Sequence, residues 1–193
     1  MKAARYHAHD RPLEIEEVAD PVLRLGAVTV RVTACFVSPT MASVMASADP
    51  PPLPPAPFVP GMNVLGEVLE VAADVPGLAP GTPVFCDPLV RSTNPGAPID
   101  SAFAGYFGFT AASRDILARW PDGGFAGRAV FPAECVTPLG TAASVDPAML
   151  TRLGHLGTAY GAFARGGFAP GQTVSVTGAT GILGGSTVLL ALA

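Results

Sequence analysis

The segment from Thr173 to Ala193 constrains the fold more than any other part of the chain. Thr173-Val174-Ser175-Val176-Thr177 has the β-branched pattern of a short strand. Gly178-Ala179-Thr180-Gly181-Ile182-Leu183-Gly184-Gly185 follows as a glycine-rich turn, and Ser186 to Ala193 opens an apolar helix. Strand, glycine turn and helix form the opening unit of a dinucleotide-binding fold. The glycines let backbone N–H groups approach a pyrophosphate, and the helix N-terminus favours its negative charge. Gly178, Gly181 and Gly184 are spaced G-x-x-G-x-x-G. The competing reading is a tight strand-to-helix turn without a ligand. The sequence runs about two turns into the helix, so only the start of such a domain is expected.

No charged residue occurs from Gly166 to Ala193, which a hydropathy window could take for a membrane span. The glycine turn in its middle argues for a buried strand–helix unit instead, because parallel strands covered on both faces also read as apolar runs. The whole chain is sparing with charge: 13% against about 25% in typical soluble domains. Its net charge of −4 comes without a basic cluster, so no nucleic-acid partner is expected. Cys35, Cys86 and Cys135 are far apart and form no C-x-x-C pair. That fits a reducing compartment rather than a disulfide scaffold. The N-terminus lacks the apolar stretch of a signal peptide, so a cytoplasmic protein with no membrane partner is expected.

The preceding residues read as β-rich. Ala3–Tyr6 and Leu13–Val18 suggest a half-exposed hairpin, with Glu14, Glu16 and Glu17 interleaved among Leu13, Ile15 and Val18. His7 and His9 are expected in its exposed turn. Val28–Ala34, Gly61–Ala72 and Val84-Phe85 read as strands, with further strand material at Phe125–Ala129 and Cys135–Leu139. The prolines of Asp49–Pro60 exclude regular helix or central strand, and residues 88–112 read as a long loop. Pro147–Arg165 is the first convincing helical stretch, with Ser144 or Asp146 as its cap.

This order of pieces resembles the medium-chain dehydrogenase/reductase superfamily. The carriers are Leu13–Val18 after Met1-Lys2-Ala3, Val30–Ala34, Pro60-Gly61-Met62-Asn63-Val64-Leu65-Gly66-Glu67-Val68, Leu78–Val84, Thr158–Ala162 and Pro170–Val174. The resemblance implies a mixed α+β chain: a GroES-like β-barrel catalytic domain over residues 1–145. A linking helix and the first strand, glycine loop and helix start of an incomplete Rossmann domain follow over 146–193. Zinc members of the superfamily carry Cys at the position of Ser38 and His-Glu at Met62-Asn63, and another ligand near Gly154 and His155. They also have a four-cysteine lobe that has no counterpart here. A catalytic zinc takes about three strong protein ligands, so no metal is expected at either site. Phe36-Val37-Ser38-Pro39 is instead close to the G-V-N-P of the zinc-independent quinone oxidoreductase branch.

The resemblance implies an NAD(P)H-dependent, zinc-independent oxidoreductase moving hydride to or from a carbonyl, enone or quinone. NADP(H) is expected ahead of NAD(H) on family grounds alone, because the residue that sorts them falls about 20 positions past the loop. Without a Lewis acid, hydrogen-bond donors must stabilise charge on the substrate. Thr40, Ser38 and Asn63 are the matched candidates, with Tyr160 and His155 as possible helpers. Each has a bland alternative: a turn for Ser38, a helix cap for Thr40, a satisfied backbone group for Asn63. Core packing is the alternative for His155 and Tyr160, and gap-filling the expectation for Met41, Met45 and Met62. Cofactor contacts are expected from Thr158, Gly178, Ala179, Thr180, Gly181, Ile182, Leu183 and Gly184. The chain is expected to be an amino-terminal piece that is inactive alone, and the full-length protein a homo-oligomer. The alternative is a non-catalytic nucleotide- or partner-binding module whose site has decayed.

Overall fold

The computed structural model describes residues 1–92 and 100–193. Two compact units divide it, Met1–Thr151 and Arg152–Ala193.

The first unit is built on a five-stranded antiparallel sheet. Its strands are β3 (Ala27–Phe36), β4 (Met62–Val71), β5 (Pro83–Cys86), β8 (Arg128–Pro132) and β9 (Val136–Pro138). They lie in the order β8-β3-β4-β5-β9. Two hairpins accompany the sheet: β1 (Lys2–Arg5) with β2 (Glu14–Glu17), and β6 (Leu89–Arg91) with β7 (Ser101–Phe103). Val28, Val30, Val64, Val68, Val84 and Phe131 form the main core, all 1% exposed or less. The ladder between β3 and β4 is irregular at Thr29/Val30, Val32/Ala34 and Cys35/Phe36. Such irregularities bend a strand and raise its local twist, as barrel curvature requires.

A smaller cluster of Tyr6, Met41, Met45, Phe58 and Tyr106 lies beside it, with Met62 packed against it. Met41 and Met45 belong to the one-turn helix α1 (Met41–Met45). The gap-filling expectation for these methionines is met.

Glycine is required where three chain segments cross. Gly61, at φ +122°, bonds through its N–H to the Gly105 carbonyl at 3.1 Å. Gly123 donates to Val59 at 2.7 Å and Gly124 donates to Gly61 at 3.2 Å. A Cβ at Gly123 would be driven into the Gly61 carbonyl. In mid-sheet, a Cβ at Gly66 would meet the Arg31 carbonyl and the Val30 side chain.

Several expectations change. The 88–112 loop contains the β6–β7 hairpin and a 3-10 turn at Ala111–Ser113 that leads into α2 (Arg114–Arg119); part of it, 93–99, lies outside the described residues. Pairing with β3 moves the strand expected at 125–129 to Arg128–Pro132. The helix expected over 147–165 is two helices, α3 (Pro147–Leu150) and α4 (Leu153–Gly166). Asp146 caps α3 through the Ala148 N–H at 2.9 Å, whereas the Ser144 hydroxyl donates to the Thr141 carbonyl.

On β2 the acidic side chains of Glu14 and Glu16 are the more covered ones. Ile15 is 73% exposed, while Glu14 and Glu16 are half-buried. The cause is ion pairing: Glu16 accepts from Arg5 at 3.1 Å and lies against the ring of His7. His7 is therefore half-buried rather than in an open turn. His7 and then Arg5 hold the Glu16 carboxyl below its ordinary range through hydrogen bonds.

The second unit contains α4, the glycine turn and α5 (Ile182–Leu192). Residues 173–177 have no ladder partner among the described residues. A strand exists only through pairing, so the β-branched sequence alone does not produce one here.

Candidate active site

The end of β3 and the start of β4 build one face. Phe36 pairs with Met62, so Ser38, two residues past β3, and Asn63, the second residue of β4, come from neighbouring strand ends. α1 begins immediately after Thr40.

Thr40 occupies the N-cap position but makes no side-chain cap bond. Its hydroxyl instead lies 2.9 Å from that of Ser38 and 3.0 Å from that of Tyr106. Three hydroxyls thus run in series from the half-buried Ser38 through the exposed Thr40 to the buried Tyr106. Tyr106 is 2% exposed and packs edge-on against Phe107, with ring centroids 4.7 Å apart. Sequence reasoning missed Tyr106, because it lies 66 residues from Thr40. The glycine crossing provides the link, since Gly105, the residue before Tyr106, holds Gly61, the residue before Met62.

Asn63 is 3% exposed and adopts φ +50°, the left-handed region that Asn tolerates better than most side chains. Among the described residues no hydrogen bond from its carboxamide caps a backbone group, contrary to that expectation.

Cys35 sits next to this face, its sulfur 3.3 Å from the Met62 carbonyl. Burial pushes its thiol up to about 12. The same cause pushes Cys135 to about 12 and raises Cys86. Among the described residues, the group of His, Cys, Asp or Glu close enough to share an ion is His7, Glu14 and Glu16 on the first hairpin. The donors at Ser38, Thr40 and Asn63 do not fit a zinc ion.

In the second unit, Gly178 has φ +66° and its carbonyl accepts from Gly181 at 2.9 Å. A Cβ on Gly184 would be driven into the Gly178 carbonyl. The turn closes onto α5 because position 184 has no side chain. Ala179 and Thr180 form the turn, Gly181 precedes the helix, and Ile182 and Leu183 begin it. The first N–H groups of α5 have no helical acceptor. Arg152, unnoticed in the sequence, donates to the Ile182 carbonyl at 3.3 Å and so brings a positive charge to the first turn of α5.

The other candidates play local roles. The Thr158 hydroxyl bonds back to the Gly154 carbonyl at 2.9 Å. Tyr160 is 66% exposed rather than core. Burial, then the charge of Arg152, holds the His155 imidazole below its usual range.

Residues 24–141 match the family described as the alcohol dehydrogenase GroES-like domain. An alcohol dehydrogenase of Geobacillus stearothermophilus is 30% identical over 190 residues, covering 94% of this chain and 52% of the relative. The cobalt- and zinc-bound thermostable alcohol dehydrogenase of Pyrobaculum aerophilum superposes with a TM-score of 0.74 at 25% identity, covering 100% of this chain and 56% of that one. The quinone oxidoreductase of Thermus thermophilus, solved with and without NADPH, gives 0.65 at 25% identity and covers 100% and 50%. The chain spans about half the length of these proteins. With the barrel, its bent β3–β4 pair and the match over most of the first unit in agreement, the chain belongs to the alcohol dehydrogenase GroES-like domain family, within the medium-chain dehydrogenase/reductase superfamily.

Proposed function

We propose that the protein is the catalytic-domain part of an NAD(P)H-dependent oxidoreductase that reduces a carbonyl or an activated C=C bond without zinc. The observation that carries this reading is the hydroxyl series Ser38–Thr40–Tyr106. When each hydroxyl donates to the next, from Tyr106 outward, the Ser38 O–H is left free to donate to a substrate oxygen. Aligned donors polarise one another and stabilise a developing alkoxide. Tyr106 is a positioning residue here, because its buried hydroxyl sets the direction in which Thr40 donates.

A nicotinamide, when bound, supplies the hydride. The second unit is suited to its pyrophosphate: Gly178 and Gly184 close the turn onto the helix, Gly181 to Leu183 open that helix, and Arg152 adds positive charge. NADPH is the preferred form and the working enzyme is a homo-oligomer. Residues 146–193 serve as the linking helix and the start of the Rossmann domain, and the 193 residues alone do not turn over.

The test is steady-state reduction of an aldehyde, enone and quinone panel by NADPH, using the full-length enzyme. Ser38→Ala is expected to lower kcat/KM by about 10²–10³, the scale of losing an oxyanion donor. Tyr106→Phe is expected to lower it by about tenfold and to shift the pH profile of kcat. NADPH binding without turnover of any substrate would instead favour a non-catalytic module. Activity that follows stoichiometric bound zinc would overturn the metal-free reading.

A further inference from the structure

A cavity of about 720 Å³ opens in the first unit, against Trp120 at the C-terminal end of α2. Its wall carries Arg5, Arg24, Arg119 and Arg128 against Glu17 and Asp122. Two of the arginines are neutralised: Arg5 by Glu16 and Arg128 by Asp20. Arg24 and Arg119 have no ion pair among the described residues. Asp122 accepts from the Val59 N–H through Oδ1 at 2.7 Å and attracts Arg24 only from a distance, without an ion pair.

Trp120 gathers these two guanidinium groups. The Arg24 carbon sits 3.8 Å from the ring centroid and that of Arg119 sits 6.0 Å away. The two carbons are therefore no more than about 10 Å apart. Cation–π attraction holds each group over the ring. Their mutual repulsion is felt: lost hydration and then the charge of Arg119 push the Arg24 guanidinium down, against the opposing pull of Asp122. An anion between them would relieve that repulsion.

We propose that this cavity binds a phosphate group, free or as a phosphomonoester, bridged between Arg24 and Arg119. With N–H···O bonds of about 2.8 Å, one phosphate spans guanidinium carbons roughly 8 Å apart. A carboxylate presents two oxygens and one charge, which match a single guanidinium fork. A phosphate presents three or more oxygens and up to two charges, which match both. The cavity has room for the organic part of a small ester.

Trp120 is the one tryptophan in the sequence, so intrinsic fluorescence reports on this site. The experiment titrates the protein with inorganic phosphate, glycerol 1-phosphate and acetate at constant ionic strength. A saturable change with the two phosphates is expected, with acetate at least about tenfold weaker. Tighter binding of glycerol 1-phosphate assigns the ester, and equal binding assigns free phosphate. Arg119→Gln and Arg24→Gln should each raise the half-saturating concentration by at least about tenfold, as for loss of a charge-assisted bond. Arg119→Gln leaves the closer Arg24 stack in place, so it tests the site even if Arg24→Gln perturbs the fold. Arg31→Gln, which removes a guanidinium paired with Glu67, should change nothing. An unsaturable response, a response unchanged in both variants, or one abolished by Gly184→Val would overturn the proposal.

Discussion

The two units use glycine in opposite ways. In the first, Gly66 lets β3 and β4 pack closely within the ladder, and Gly61, Gly105 and Gly123 let separate segments cross beside it at contact distance. In the second, Gly178 and Gly184 let a turn close onto the start of a helix. The two units also differ in burial. β3 and β4 carry residues that are fully buried, whereas α5 exposes Leu183, Leu189 and Leu192 at 47%, 59% and 81%. The comparison teaches that a missing Cβ lets distant segments pack in one place and lets a local turn close onto a helix in the other.

The sharpest way to break this contrast is Gly66→Val. A side chain there meets the Arg31 carbonyl and Val30 in mid-sheet, and overpacking adds to lost ladder bonds. Destabilisation above about 3 kcal/mol is expected in chemical unfolding; a loss under about 1 kcal/mol would mean the sheet yields more easily than its geometry indicates. Gly184→Val should act differently. It should weaken NADPH binding by the full-length protein by about tenfold or more while the unfolding of the first unit stays within about 0.5 kcal/mol. Equal effects on both properties would erase the distinction.

A thiol test sharpens it further. With Cys35 and Cys135 raised to about 12, native protein at pH 8 should react with iodoacetamide at least about a thousandfold more slowly than free cysteine, whose thiol titrates near 8.5. Mass spectrometry that found rapid labelling without denaturant would show the first unit to be open.

The smallest expected effect concerns His155. Its folded value lies below the unfolded one, so the unfolded chain binds more protons and stability rises with pH across that interval. As pH falls from 8 toward 5.5, the thermal midpoint of the second unit should drop slightly, and His155→Gln should flatten the dependence. An unchanged slope in the variant would assign the pH response to other groups.

Much of the barrel was legible from residue order. Strands at 28–34, 61–72 and 84–85 follow from β-branched runs bounded by turn residues, and each lies within or against a strand of the sheet. The hairpin was legible but its facing was not. Alternation alone marks an apolar and an acidic side of the strand without saying which is covered; Arg5 and His7 draw Glu16 in and leave Ile15 out. Ser38 and Thr40 could be singled out, and their meeting at 2.9 Å follows from local spacing. Tyr106 could not, because nothing near it in the chain marks it as different from a core tyrosine.

The sequence by itself determined which segments can be strand, turn or helix, and where glycine and proline forbid the alternatives. It also determined that thiolate and imidazole ligands are missing from the Ser38 and Met62-Asn63 positions. Only the tertiary structure decided that the Thr40 hydroxyl serves Tyr106 instead of a helix end, and that Arg24 and Arg119 converge on Trp120. The physical reason is range. Propensity and periodicity act over a few residues, whereas a hydrogen bond across 66 positions depends on how every intervening strand is paired.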